Sequence, residues 1–146
     1  MANDSTGTNL AIALFSEVVA AEQMIKGGLS RTLPKGMEMS HFSVLNHLSS
    51  TGERTPAQLA RAFHVTKGAM TNTLQKLEIS GYIHIRPDWD DARKKLVSIS
   101  KAGEAAREQA MRAVRPLFEK VVNRIGAQEI KQILPVLRDL RQILEP

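Results

Sequence analysis

Two short stretches of this chain carry the residue types that can read a double-stranded nucleic acid. The first holds Thr66, Lys67 and Gly68, then Thr71, Asn72, Gln75 and Lys76. At helical spacing they share one face, opposite Met70, Leu74 and Leu77. None of these seven residues is acidic. Asn and Gln can pair bidentately with adenine, and Lys can reach guanine or phosphate. Gly68 is costly inside a helix, by about 1 kcal/mol relative to alanine; close approach of backbone to DNA is one reason to keep it. A polar helix face is more often simply solvated, and the second stretch tips the balance. It runs Arg86-Pro87-Asp88-Trp89-Asp90-Asp91-Ala92-Arg93-Lys94-Lys95, with basic residues flanking an acidic centre. Asp91 and Arg93 are two apart, so on an extended strand they point the same way and the carboxylate can orient the guanidinium. A fixed guanidinium suits a narrow minor groove, where the negative potential is enhanced. The bland reading is a surface ion pair worth about 0–1 kcal/mol. Trp89 can touch a sugar-phosphate surface or pack beneath the loop; packing is the expectation.

Six helices and a hairpin must position these residues. Apolar residues at 14, 18, 25 and 29 predict a helix over 10–33, closed by Pro34-Lys35-Gly36. Ser40 reads as the N-cap of a helix over 41–50 with Phe42, Val44, Leu45 and Leu48 inward. Thr55-Pro56 starts a short third helix, with Leu59, Ala60 and Phe63 inward. His64-Val65 forms the turn, and Thr66 caps the fourth helix, which ends at Gly81. Alternation at 82–86 and 95–99 predicts a β-hairpin with a long charged tip. Ser100 caps a fifth helix with a stripe at Ala106, Ala110, Ala113, Leu117 and Val121; Pro116 should kink it and Gly126 end it. A sixth helix covers 127–144, with Pro135 either kinking it or delaying its start.

Composition narrows the function classes. The 146 residues suffice for one domain with a core built from Leu, Ile, Val, Ala and Met, since aromatics make up only 4%. The net charge of +5 is uneven: residues 1–52 carry three basic groups against four acidic, while 53–95 and 96–146 each carry an excess of three basic groups. A polyanionic partner fits that distribution. The absence of cysteine removes disulfides and thiolate metal sites. Residues 1–9 lack the features of a signal peptide, and no stretch reads as a membrane span, so a cytoplasmic protein is expected. His41, His47, His64 and His84 have no convincing ligand spacing, and neither metal nor cofactor is expected. No nucleophile elbow, phosphate-binding loop or His-Glu metal motif is present, and Asp88, Asp90 and Asp91 on an exposed tip are a poor setting for acid–base chemistry, so the chain does not read as an enzyme.

The order short helix, turn, longer helix, hairpin is that of a winged helix-turn-helix. The segment from Thr55 to Gly103 resembles the winged-helix core of the MarR family (multiple antibiotic resistance regulators). The carrying residues are Thr-Pro-Ala-Gln-Leu-Ala at 55–60, Val-Thr-Lys-Gly-Ala-Met-Thr-Asn-Thr-Leu at 65–74, the Leu77-Glu78…Gly81-Tyr82-Ile83 exit, and Asp91-Ala92-Arg93 followed by Leu96-Val97-Ser98-Ile99-Ser100-Lys101-Ala102-Gly103. Gly68 stands where Ser or Thr is commoner in the family, and Asn72 where Arg is frequent. The resemblance implies a mainly α protein with a small β-hairpin wing: a single domain over 1–146, a DNA-binding head at 40–100 with its wing at 82–99, and dimerisation helices at 10–33 and 101–146. It implies that the helix from Thr66 reads the major groove, and that Arg93, supported by Asp91 and followed by Lys94, enters the minor groove. The apolar terminal helices agree with a homodimer, because each needs a partner to cover it. Such a dimer would act on a pseudo-palindromic operator as a transcriptional regulator, in most relatives a repressor released by a small, often aromatic or phenolic, effector. The effector site implied lies where head and dimer helices meet, near Met37, Met39, His41 and Phe42, although Met and Phe at this spacing are more often core. The alternative is a winged-helix protein-interaction module that does not bind DNA; acidic residues on the recognition face would have favoured it.

Overall fold

The computed structural model describes residues 2–145, with side chains from residue 5 onward. Its elements are α1 (Ala2–Thr32), α2 (Met39–Thr51), α3 (Pro56–Ala62), α4 (Lys67–Ile79), β1 (Ile83–Pro87), β2 (Lys95–Ile99), α5 (Lys101–Ile125) and α6 (Ala127–Leu144). The architecture is mainly α with one antiparallel hairpin, pairing Ile83 with Ile99 at its base and Pro87 with Lys95 at its outer end.

Hydroxyl caps set three of the starts. The side-chain oxygens of Thr55, Thr66 and Ser100 accept from the backbone N–H groups of Gln58, Ala69 and Gly103, at 3.1, 3.1 and 3.0 Å. The second helix departs from expectation: Ser40 lies inside it, and the cap is Glu38. The Glu38 N–H donates to His41 Nδ1 at 3.1 Å, so an imidazole fills the place that Glu or Gln takes in a capping box. The first helix also begins earlier than its apolar pattern. Once a helix exists, each added residue gains a hydrogen bond, so polar residues extend it past the stripe that stabilises it. Pro116 and Pro135 both lie inside their helices, and the sixth helix starts at Ala127 rather than after Pro135. Each proline lacks the N–H that would bond the carbonyl four residues back, at Arg112 and Lys131.

Two clusters form the core. Val44, Leu45, Leu48, Leu59, Met70, Leu74, Leu77, Ile83 and Val97 make the head. Leu29, Leu33, Phe42, Ala110 and Val114 form a collar where α1 crosses α2 and α5. Beyond the collar the long helices are bare. Leu10, Leu14, Phe15, Val18 and Ile25 of α1 are exposed, as are Phe118, Val121 and Ile125 of α5 and Ile133, Leu134 and Val136 of α6.

The hairpin is anchored at its base. Arg54, ahead of α3, exchanges both backbone hydrogen bonds with Val97 (3.1 and 2.8 Å), adding a one-residue third strand. Gly81, with φ of 77°, turns the chain out of α4. The Ser100 hydroxyl donates to the Gly81 carbonyl at 2.6 Å, and the Ser100 N–H donates to the Tyr82 carbonyl at 2.9 Å. Gly103 then packs its bare Cα on the same spot: a Cβ there would overlap the Tyr82 carbonyl oxygen and meet the Ile99 side chain at 2.8 Å. Gly103→Ala should therefore lower the stability of the folded protein by about 1–3 kcal/mol, through overpacking against backbone that cannot yield. A chemical denaturation midpoint shifted down with an unchanged slope would bear this out.

Candidate nucleic-acid interface

On α4, Met70, Leu74 and Leu77 are buried in the head, which turns Thr66, Lys67, Gly68, Thr71, Asn72, Gln75 and Lys76 outward; all seven are exposed. Thr66 spends a lone pair on its cap and keeps its hydroxyl hydrogen. Nothing in the chain lies within 4 Å of where a Cβ on Gly68 would stand, so packing within the molecule does not require a glycine there. Lys76 faces Glu38 across 3.9 Å, a loose pair with both partners exposed. Thr71, Gln75 and Glu78 share a groove of about 350 Å³ with Ile85, Arg86, Pro87 and Lys95, so the outward face of α4 and the outer half of the hairpin form one continuous surface.

The hairpin tip is ordered by its own side chains. The Asp88 N–H donates to the Lys94 carbonyl at 2.9 Å and closes the loop. Within it, the Asp90 N–H donates to Asp88 Oδ1 at 3.0 Å. The Asp91–Arg93 pair has a different geometric origin from the one its spacing suggests. Residues 91–94 form a turn, not a strand, with the Lys94 N–H donating to the Asp91 carbonyl at 2.9 Å. Asp91 Oδ1 accepts both the Arg93 backbone N–H and Arg93 Nε, each at 3.1 Å. One carboxylate thus fixes the turn and aims the side chain. The Arg93 side chain nevertheless stays 92% exposed, against 28% for Asp91. These bonds, the guanidinium first and the Arg93 backbone N–H second, hold the Asp91 carboxyl below the ordinary carboxylate range. Lys94 is exposed beside it.

Trp89 does not pack beneath the loop. Its side chain is exposed, and the loop is held by the hydrogen bonds above rather than by an apolar plug. The ring lies against Arg86, whose guanidinium carbon is 4.0 Å from the ring centroid. Arg86 is in turn gripped by Glu53, at 2.8 and 3.3 Å. Glu53 had no local signal, because it lies 33 residues from its partner.

The four residues proposed for a ligand site separate. Met37 and His41 line a cleft of about 470 Å³ that also takes in Glu38, Lys76 and Tyr82. Phe42 is buried in the collar, and Met39 is exposed on the first turn of α2; neither lines the cleft. Among the described residues no group of three or more His, Asp or Glu gathers as metal ligands would. No described helix is long and apolar enough to cross a membrane.

Helix, turn, helix and hairpin in this arrangement define a winged helix-turn-helix protein. The MarR family's sequence profile matches residues 35–94. The multiple antibiotic resistance protein MarR of Salmonella typhimurium is 30% identical over 110 residues, covering 70% of this chain and 76% of that one. The HTH-type transcriptional regulator YdgG of Bacillus subtilis is 25% identical over 134 residues, covering 90% and 88%. Among solved structures, the C80S mutant of Escherichia coli MarR complexed with operator DNA superposes with a TM-score of 0.79 at 25% identity, covering 90% of this chain and 96% of that one. PcaV of Streptomyces coelicolor, solved with its natural ligand, shares the fold with a TM-score of 0.80 at 12% identity, covering 88% and 91%. The chain belongs to the MarR family of transcriptional regulators.

Burial holds the His41 imidazole below its ordinary value of 6.5; Glu38 opposes that shift and Lys76 reinforces it. Because Nδ1 accepts the Glu38 N–H, the folded protein needs the neutral ring. As pH falls below 6.5 the unfolded chain takes up a proton before the native one does, so stability declines until the native ring also titrates. His41→Gln should flatten that slope in denaturation curves measured across this range.

Proposed function

We propose that this protein is a homodimeric, sequence-specific DNA-binding regulator that represses from a pseudo-palindromic operator. The observation that carries this reading is Arg93, held in place by Asp91 yet almost wholly exposed, beside a helix whose first two turns present Thr66, Lys67, Gly68, Thr71 and Asn72 outward with no acid among them, Glu78 standing in its last turn. In this reading the first turns of α4 enter the major groove, with Lys67, Thr71, Asn72 and Gln75 at base edges and phosphates, while Arg93 and Lys94 engage the adjacent minor groove. The open space above Gly68 lets backbone approach the duplex. The bare apolar faces of α1, α5 and α6 support a two-fold dimer that covers them. Two recognition helices about 34–36 Å apart then match half-sites one helical turn apart. Release by a small aromatic or phenolic effector is supported by the cleft at Met37 and His41, which reaches Lys76 on the recognition helix. Such a ligand acts only by its differential affinity for two arrangements of the head. A protein with this task works in the cytoplasm and is not an enzyme.

Selection from a random-sequence pool of short duplexes, read out by mobility shift, tests the reading. Recovery of an inverted repeat bound by two chains is expected; failure to enrich any sequence, or a complex with one chain, would sink it. On the selected duplex, Arg93→Ala should bind about 10–100-fold more weakly and lower the salt slope by about one per wing. Gly68→Ala should separate stability from function, raising the former by up to about 1 kcal/mol while reducing operator affinity severalfold. Unchanged affinity in that variant would remove the backbone approach at Gly68.

A further inference from the structure

The exposed indole at the hairpin tip belongs to neither core cluster. Trp89 is 84% exposed, an unusual position for the largest apolar side chain, and Arg86 lies over its ring. That contact belongs to a built chain of supports. Glu53 takes Arg86 through two hydrogen bonds, Arg86 Nη1 donates to the Pro87 carbonyl at 3.1 Å, and the guanidinium braces the ring. The indole is therefore already ordered before any partner arrives, which lowers the entropic cost of binding through it. The Asp88–Lys94 hydrogen bond closes the loop around it, so Trp89 and Arg93 stand on one tip.

We propose that Trp89 is a further DNA-contacting residue, and that its Arg86-braced ring packs against the deoxyribose faces bordering the minor groove next to the entry of Arg93. This rests on the DNA-binding reading above. A flat apolar ring on the same closed loop as the exposed guanidinium of Arg93 calls for a partner offering both an apolar face and negative charge. The sugar-phosphate wall of a groove does so at every nucleotide. The contact is tolerant of sequence, because sugars carry no base identity. It contributes grip and orientation where Arg93 contributes charge. Glu53 and Arg86 act through the ring as positioning residues.

The chain has a single tryptophan, so its emission reports this residue alone. Titrating the wild-type protein with a duplex it selects from a random pool should change the intensity or wavelength of that emission, saturating with the mobility shift. Trp89→Ala should bind that duplex at least about tenfold more weakly across the two wings, while Trp89→Phe stays within about threefold. The salt dependence of Trp89→Ala should match the wild type, because no charge is removed, whereas Arg93→Ala lowers it. A mobility shift without any emission change would overturn the assignment and leave the DNA-binding reading intact. So would a salt slope in Trp89→Ala as low as that of Arg93→Ala, which means a collapsed wing rather than a lost contact. Absence of any shift with the wild-type protein would overturn both.

Discussion

One side chain, that of Ser100, joins the exit of α4 to the hairpin and to α5. Ser100 donates to the carbonyl of Gly81, the residue that ends α4, and accepts from the N–H of Gly103 in the first turn of α5. Between these two points the chain runs out through the hairpin and back. A single hydroxyl thus ties together the exit of α4, both ends of the hairpin and the start of α5. The bare Cα of Gly103 against Tyr82 makes the closure tight enough that the three cannot slide independently. Each partner is a backbone group, so the geometry does not depend on flexible side chains.

How much of this was legible varied with the range of each interaction. The starts at Thr55, Thr66 and Ser100 were visible because a hydroxyl cap acts on the N–H three residues on. Ser40 misled for the same reason: it has the right type, but Glu38 and His41 already form the cap. Asp91 and Arg93 were recognisable as a pair, although a turn rather than a strand joins them. Contacts across long stretches of chain gave no signal, as with Glu53 to Arg86 or the pairing of Arg54 with Val97. Trp89 departs from the packing expected of a lone large aromatic, and only the exposure of the tip reveals that nothing covers it. The apolar stripes of α1 and α6 were plain from periodicity, yet of Leu14, Val18, Ile25 and Leu29 only Leu29 is buried within the chain.

The two clusters of the core meet on α2, which gives Val44, Leu45 and Leu48 to the head and Phe42 to the collar. Met37 packs against both. A head that tilts relative to α1 and α5 must repack at these positions, and an unbranched thioether adapts more readily than a branched side chain. The cleft at Met37 and His41 opens on this joint, so its shape and the tilt of the head are coupled by contact.

The 25 residues of α5 make it a lever as well as a scaffold. At 1.5 Å per residue it is about 37 Å long, so a rotation of about 5° at its base displaces the far end by about 3 Å. That is close to the 3.4 Å step between successive bases along one strand of duplex DNA. With the far end held, the same rotation moves the head by one such step. In the proposed dimer on DNA, the hydroxyl and glycine at the foot of this helix would therefore set the tolerance of a measuring device, in which angular play of a few degrees reads as a shift of a whole base pair.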